Sequence, residues 1–193
     1  LVQRDLQMKY RRSKLGVAWS VLTPLGLAAI VGGVYSILFG TSPHELIPLI
    51  FASINPWVFM SGTADGATMA FPAAEGYIKQ STVSSQIFPL RATMTNFVTL
   101  LYSVITFFSI YLFLEPDRFG PIMLLCIPGL AIMFIFTLGM ANLTSVTNLF
   151  IRDYAPFQSL LFQGLFYATP IIYDTQMLAD KGYSIVYQVN PFY

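Results

Sequence analysis

Charged residues are scarce in this chain of 193 residues, which has 10% of them against 55% hydrophobic residues. Soluble globular domains carry about 25% charged residues. A soluble fold of this length could not bury so much apolar surface. The composition therefore excludes an ordinary soluble domain.

Cysteine, histidine and the usual catalytic motifs are also nearly absent. Cys126 is the single cysteine and lies in an apolar run with no histidine nearby, so neither a disulfide nor a metal site has a second ligand. The sequence contains no GxxxxGK[ST] phosphate loop and no nucleophile elbow. We therefore predict that the chain is not an enzyme, holds no metal and no cofactor of its own, and binds no nucleic acid.

Long apolar runs are what the sequence has instead. A helix needs about 20 apolar residues to cross a hydrocarbon core of about 30 Å. Five runs approach that length, and the fourth contains Pro128 and Gly129, which we expect to tilt or break it. The runs are Val17 to Phe39, Ile47 to Ala70, Ala92 to Leu114, Pro121 to Thr147 and Pro156 to Tyr173. They predict an all-α, polytopic membrane protein.

The cations between these runs predict the orientation. Alternating the connecting segments between the two sides places eight cations on one side: Arg4, Lys9, Arg11, Arg12, Lys14, Lys79, Arg91 and Arg152. Only Arg118 and Lys181 lie on the other. By the positive-inside rule, the N-terminus and the loop from Ala73 to Arg91 are cytoplasmic. Five spans leave the chain outside at Asp174, so we expect a sixth span beyond Tyr193.

Two cytoplasmic segments could form surface helices. In residues 1–14, apolar Val2, Leu6 and Tyr10 recur every four residues, which predicts a basic amphipathic helix on the membrane surface or an ordinary basic tail. Residues 75–87 have the length of a short helix that Pro89 would end. Such a helix would be a docking element for a soluble partner, or a plain connector.

Asp65 and a set of aromatic residues are the candidates for a substrate channel. A charge within a span is costly unless it faces water or a partner. Asp65 could line a pore, be a hydrogen-bonded structural acid near Thr63 and Thr68, or belong to the cytoplasmic boundary. The aromatic residues could contact sugar rings, or anchor the protein at the bilayer interfaces. They are Tyr35, Phe39, Trp57, Phe166, Tyr167 and Tyr173.

Three segments together resemble the permease subunits of type-2 ATP-binding-cassette exporters. RDLQMKYRRSKLGVAWSVLTPL, from Arg4 to Leu25, is similar to the family's start of the first span. NLFIRDYAPFQSLLFQGLFYATPIIY, from Asn148 to Tyr173, is similar to its Arg-Asp turn and fifth span. The final NPFY is similar to the Asn-Pro element before its sixth span. The resemblance is strongest to the branch that exports O-antigen, capsule and teichoic-acid polymers.

The resemblance implies a homodimeric pore of six spans per subunit in the bacterial inner membrane, whose cargo is a lipid-linked polysaccharide. A separate nucleotide-binding subunit would bind ATP and Mg²⁺. It further implies an N-terminal interface helix with Arg4, Lys9, Arg11 and Arg12, and an extracellular gate segment at residues 174–189. The implied ATPase-coupling residues are Glu75, Gly76, Tyr77, Lys79, Gln80, Arg152 and Asp153.

Several alternatives stay open at this point. A type-2 permease for drugs or lipids would share the fold. A multispan glycosyltransferase would need an assembled site outside the membrane, where the acids are scattered. The pair Arg152 and Asp153 could also serve only to satisfy helix ends at the membrane surface.

Overall fold

The computed structural model describes residues 13–80, 84–114, 120–151, 153–171, 173, 182–183, 185–190 and 192. The regular structure of these residues is entirely helical, which confirms the all-α prediction. The α-helices are α1 (Trp19–Phe39), α2 (Pro43–Thr68), α3 (Glu75–Gln80), α4 (Ile87–Leu114), α5 (Cys126–Phe150), α6 (Tyr154–Ala168) and α7 (Ile185–Gln188). Short 3₁₀ turns at Gly16–Ala18, Pro72–Ala74 and Pro121–Leu125 precede α1, α3 and α5.

Among the described residues, four helical segments are long and apolar enough to cross a bilayer: α1, α2, α4 and α5 with the 3₁₀ turn before it. The fifth predicted span, Pro156 to Tyr173, is shorter than expected, because α6 has 15 residues and ends at Ala168. Such a helix is about 22 Å long, less than a hydrocarbon core of about 30 Å. Thr169 is extended, with φ −89° and ψ 132°, as a residue before a proline prefers to be.

Two prolines act differently from the prediction. Pro128 and Gly129 do not break the fourth span, because α5 begins at Cys126 and Pro128 is its third residue. Pro89 likewise does not end a helix over residues 75–87: α3 ends at Gln80, and Pro89 is the third residue of α4. The first N–H groups of a helix have no intrahelical acceptor, so a proline costs little in the first turn.

Helix α2 is the centre of the bundle and contacts α1, α4, α5 and α6. Its fully buried side chains include Ile50, Ile54 and Thr63. Gly32 permits α1 to approach α2 closely, since a Cβ there would lie 2.7 Å from Cγ1 of Ile47. On the α4 side, Phe59 packs on Phe97 with ring centroids 5.6 Å apart.

The C-terminal ends of α2 and α5 lie beside the N-terminal ends of α4 and α6. Asn148 near the end of α5 donates a hydrogen bond to the carbonyl of Thr68 at 2.8 Å, and Phe71 packs on Phe88 at 6.5 Å. We call this end of the bundle the basic end, because it carries Lys79 on α3 and Arg91 near the start of α4. It is the end that the charge distribution predicts to be cytoplasmic.

Candidate functional site at the basic end of the bundle

Helix α3 projects from the basic end as an exposed turn and a half of helix. It carries five of the predicted coupling residues (Glu75, Gly76, Tyr77, Lys79 and Gln80), and all of them are exposed. Lys79 Nζ lies 2.5 Å from Glu75 Oε1, one helical turn apart. The hydrogen bond from the Lys79 ammonium and its charge hold the pKa of Glu75 below its ordinary value. The solvent-exposed surface of α3 thus carries Tyr77 and an ion pair in which the charges of Glu75 and Lys79 cancel.

A cavity of about 350 Å³ lies beneath α3, between the end of α2 and the start of α4. Its walls are mostly small residues, and Tyr77, Arg91 and Asn96 contribute the larger polar side chains. In the sequence, Arg91 indicates only the orientation of the chain in the membrane. Its position beside α3 is not predicted. A residue at the start of a span gives no such signal, because its neighbours depend on how the preceding loop folds back.

Several predicted site residues lie outside the described part of the chain. These are Arg4, Lys9, Arg11 and Arg12 of the interface helix, together with Arg152 and most of the gate segment at 174–189. Asp153 is described: it is exposed, directly precedes α6, and makes no side-chain capping bond to that helix. It lies at the basic end, as α3 does.

Asp65 is anchored by α6 and not by the threonines near it in sequence. Its Oδ1 accepts hydrogen bonds from Gln158 Nε2 and from Ser159 Oγ, each at 3.2 Å. Thr68 bonds only the main-chain carbonyl of Asp65, at 2.7 Å, and Thr63 Oγ1 is buried with no partner among the described residues. The carboxylate is therefore hydrogen-bonded, but to residues of α6 and not to the side chains of Thr63 or Thr68. Asp65 also lies only one turn from the end of α2.

The predicted channel aromatics do not form one surface. Trp57 is 8% exposed and lies in an aromatic cluster with Phe162, Phe166 and Phe192, at centroid distances of 5.6 to 5.8 Å. This interior position favours a packing role for Trp57 and Phe166. Tyr167, in contrast, is 67% exposed.

Of the remaining aromatic candidates, two lie on α1 and one lies in the segment after α6. Tyr35 is half-buried on α1, and Phe39 is the last residue of that helix. Tyr173 donates a hydrogen bond from its hydroxyl to the carbonyl of Tyr167 at 2.9 Å. Tyr167 therefore contacts both Tyr173 and Phe166, whose ring centroid lies 5.4 Å away, whereas Tyr35 and Phe39 lie on a different helix.

Sequence reasoning missed a polar contact that joins two of the motifs it noted. Asn190 of NPFY donates a hydrogen bond to Thr169 Oγ1 at 2.8 Å, and both residues are buried. The Oδ1 atom of Asn190 accepts from the N–H of Phe192 at 2.9 Å, which directs that residue into the aromatic cluster. The motifs gave the residue types, but their contact spans 21 residues and no local pattern encodes it.

Comparison with known proteins gives a consistent result over the whole chain. The model of a family described as ABC-2 type transporter matches residues 1–193. The chain is 28% and 29% identical to two proteins from Klebsiella pneumoniae named O-antigen export system permease protein RfbA, over 99% of this chain and 73% of each relative. It is 26% identical to a protein of the same name from Myxococcus xanthus, over 99% of this chain and 74% of the relative.

Proposed function

Because the chain belongs to the ABC-2 type transporter family, we propose that it is the pore-forming permease of an ATP-driven exporter of lipid-linked polysaccharide in the bacterial inner membrane. One observation carries the proposal: relatives named as O-antigen export permeases match 99% of the chain. Family membership identifies a transport subunit and not an enzyme. ATP and Mg²⁺ would be bound by a separate subunit.

A polar stripe on α6 supports a water-filled pore. Ser159, Gln163 and Tyr167 are all exposed and lie four residues apart, so they share one face of the helix. A serine, a glutamine and a tyrosine in line are unfavourable against hydrocarbon, whereas water or a second protein surface can satisfy them. We propose that this face lines the pore and that a second copy of the chain completes it.

The exposed helix α3 supports docking of the ATPase. It lies at the end of the bundle that the cations mark as cytoplasmic, and all six of its residues are accessible to a partner. We propose that Glu75, Tyr77 and Lys79 contact the ATPase and that Asp153 lies at the edge of that contact, while a coupling role for Arg152 remains a prediction. The interface helix at 1–14 and the gate segment at 174–189 remain predictions.

The direct test measures export in inside-out membrane vesicles. Vesicles that contain the permease and its partner ATPase should take up lipid-linked polysaccharide extracted from the host, and only when ATP is supplied. Vesicles with the permease alone are the matched control, and they should take up none. ATP-driven uptake of a hydrophobic drug or a phospholipid, with no uptake of polymer, would refute the proposal in favour of the drug or lipid permease.

A further inference from the structure

Asp65 and Ser159 present hydrogen-bond acceptors at an exposed surface. Oδ1 of Asp65 already accepts from Gln158 and Ser159, whereas Oδ2 has no partner among the described residues. Ser159 has one hydroxyl proton and gives it to Asp65, so the outward side of its oxygen can only accept. Oδ2 of Asp65, which is charged, and Oγ of Ser159 can therefore each accept a hydrogen bond from a ligand.

Gln158 holds the carboxylate in place. It is 2% exposed, and its Oε1 atom is buried with no partner among the described residues. A buried acceptor without a partner costs about 1 to 3 kcal/mol, so this amide is retained at some cost to the fold. Among the described residues, its side chain hydrogen-bonds only to Asp65. Gln158 is therefore a positioning residue for Asp65.

The surroundings favour a neutral ligand rich in hydroxyl groups over a metal ion. A hard cation such as Ca²⁺ takes six to eight oxygen ligands, and the described residues contain no group of three or more potential metal-binding side chains. The exposed face of α6 continues with the neutral Gln163 and Tyr167. Ser61 lies one turn before Asp65 on α2 and is also neutral. The Asp65 carboxylate is the single charge among these neutral amide and hydroxyl groups. Such a surface suits an uncharged hydrogen-bond donor, such as a hydroxyl group.

We propose that Asp65 and Ser159, positioned by Gln158, form a binding site for the hydroxyl groups of sugar units at the basic end of the pore. The proposal rests on the proposed function, since it assigns a contact to the same cargo. One hydroxyl of a sugar donates to Oδ2 of Asp65, and an adjacent hydroxyl donates to Ser159 Oγ. Charge-assisted hydrogen bonds are about twice as strong as neutral ones, so one carboxylate can select cargo that bears hydroxyl groups. Because only one such bond is made, each sugar unit can still be released.

The test uses the complete transporter, permease with its ATPase, in proteoliposomes. Two probes are compared: lipid-linked polysaccharide extracted from the host, and the same polymer after permethylation, which removes its hydroxyl donors. The measured quantity is the polymer concentration that half-maximally stimulates ATP hydrolysis. The wild-type transporter should prefer the native polymer. Asp65→Asn and Ser159→Ala should raise the half-maximal concentration of native polymer about tenfold and weaken the preference over permethylated polymer.

Ser109→Ala is the matched control. Ser109 is an exposed serine on α4 whose hydroxyl donates to the carbonyl of Ile105 at 2.8 Å, and it lies away from Asp65 in the bundle. This variant should behave as wild type with both probes.

Three results would count against the site. Unchanged half-maximal concentrations in both variants would overturn it, and so would loss of folded protein in both, since Asp65 and Ser159 would then serve the fold. A wild-type transporter that no polymer stimulates would refute the proposed function itself. The first two results leave the proposed function standing, so the two failures can be told apart.

Discussion

Adding one methyl group at Gly32 tests the close contact between α1 and α2. The Cβ of an alanine there would lie 2.7 Å from Cγ1 and 3.1 Å from the Cα of Ile47. The side-chain atom can rotate away, but the backbone atom moves only if the helices separate. Overpacking of this kind costs about 1 to 3 kcal/mol, against a gain in helix propensity of up to about 1 kcal/mol. Gly32→Ala should therefore be destabilising by up to about 2 kcal/mol.

The neighbouring Gly33 gives the matched control, because a Cβ there meets nothing within 4 Å. Gly33→Ala has the same gain in helix propensity without the clash. For a chain of this size, each kcal/mol shifts the melting temperature by about 2 to 4 °C, which thermal unfolding of the detergent-purified protein can resolve. Gly32→Ala should melt lower than wild type and Gly33→Ala should not, and Ile47→Ala should partly rescue Gly32→Ala. Equal melting temperatures for the two glycine variants would refute the close contact.

Four further predictions address the orientation, the coupling helix and the C-terminal contact. In intact cells of a Cys126→Ser background, a membrane-impermeant thiol reagent should label Ser42→Cys but not Ser84→Cys; labelling of Ser84→Cys would reverse the orientation. Lys79→Ala should weaken co-purification of the ATPase without lowering permease abundance, and normal association would exclude α3 as the docking helix. Lys79 lowers the pKa of Glu75, so the stabilisation from this ion pair should be present at neutral pH and lost as the pH falls through that lowered pKa. Measuring ATPase binding over an acid titration can follow this loss. Asn190→Ala should lower the melting temperature, since it removes two hydrogen bonds at a buried site, and an unchanged value would mean that water replaces them.

The long helices could be predicted from the sequence because their cause is local. A run of about 20 apolar residues must form its backbone hydrogen bonds within itself in a membrane, whatever surrounds it. Helix ends depend on more than apolarity. The break expected at Pro128 assumed that the helix began at Pro121, whereas a 3₁₀ turn delays the start until Cys126 and puts the proline in the first turn.

The candidate site was predictable in its residue types and not in its contacts. Asp65 is a candidate because an acid within a span is unusual, yet its partners Gln158 and Ser159 lie more than 90 residues away along the chain. Trp57 shows the opposite outcome. Its aromatic character fits cargo binding or interface anchoring, but its helix contacts four neighbouring helices and its side chain is 8% exposed, which favours a packing role. Neither result follows from local spacing, because both depend on which helices become neighbours.

The shortness of α6 explains why Asn190 and Thr169 are in contact. Where a helix ends before the hydrocarbon does, the main chain that follows must find hydrogen-bond partners within the protein. The N–H of Thr169 bonds Leu165 at 2.8 Å, and its hydroxyl donates to the same carbonyl at 2.7 Å. Thr169 therefore has no hydroxyl proton left to donate, so its partner at this buried position must itself be a donor. The amide of Asn190 supplies one, and its oxygen is left to fix Phe192 against Trp57. An apolar residue of similar size at position 190 could do neither.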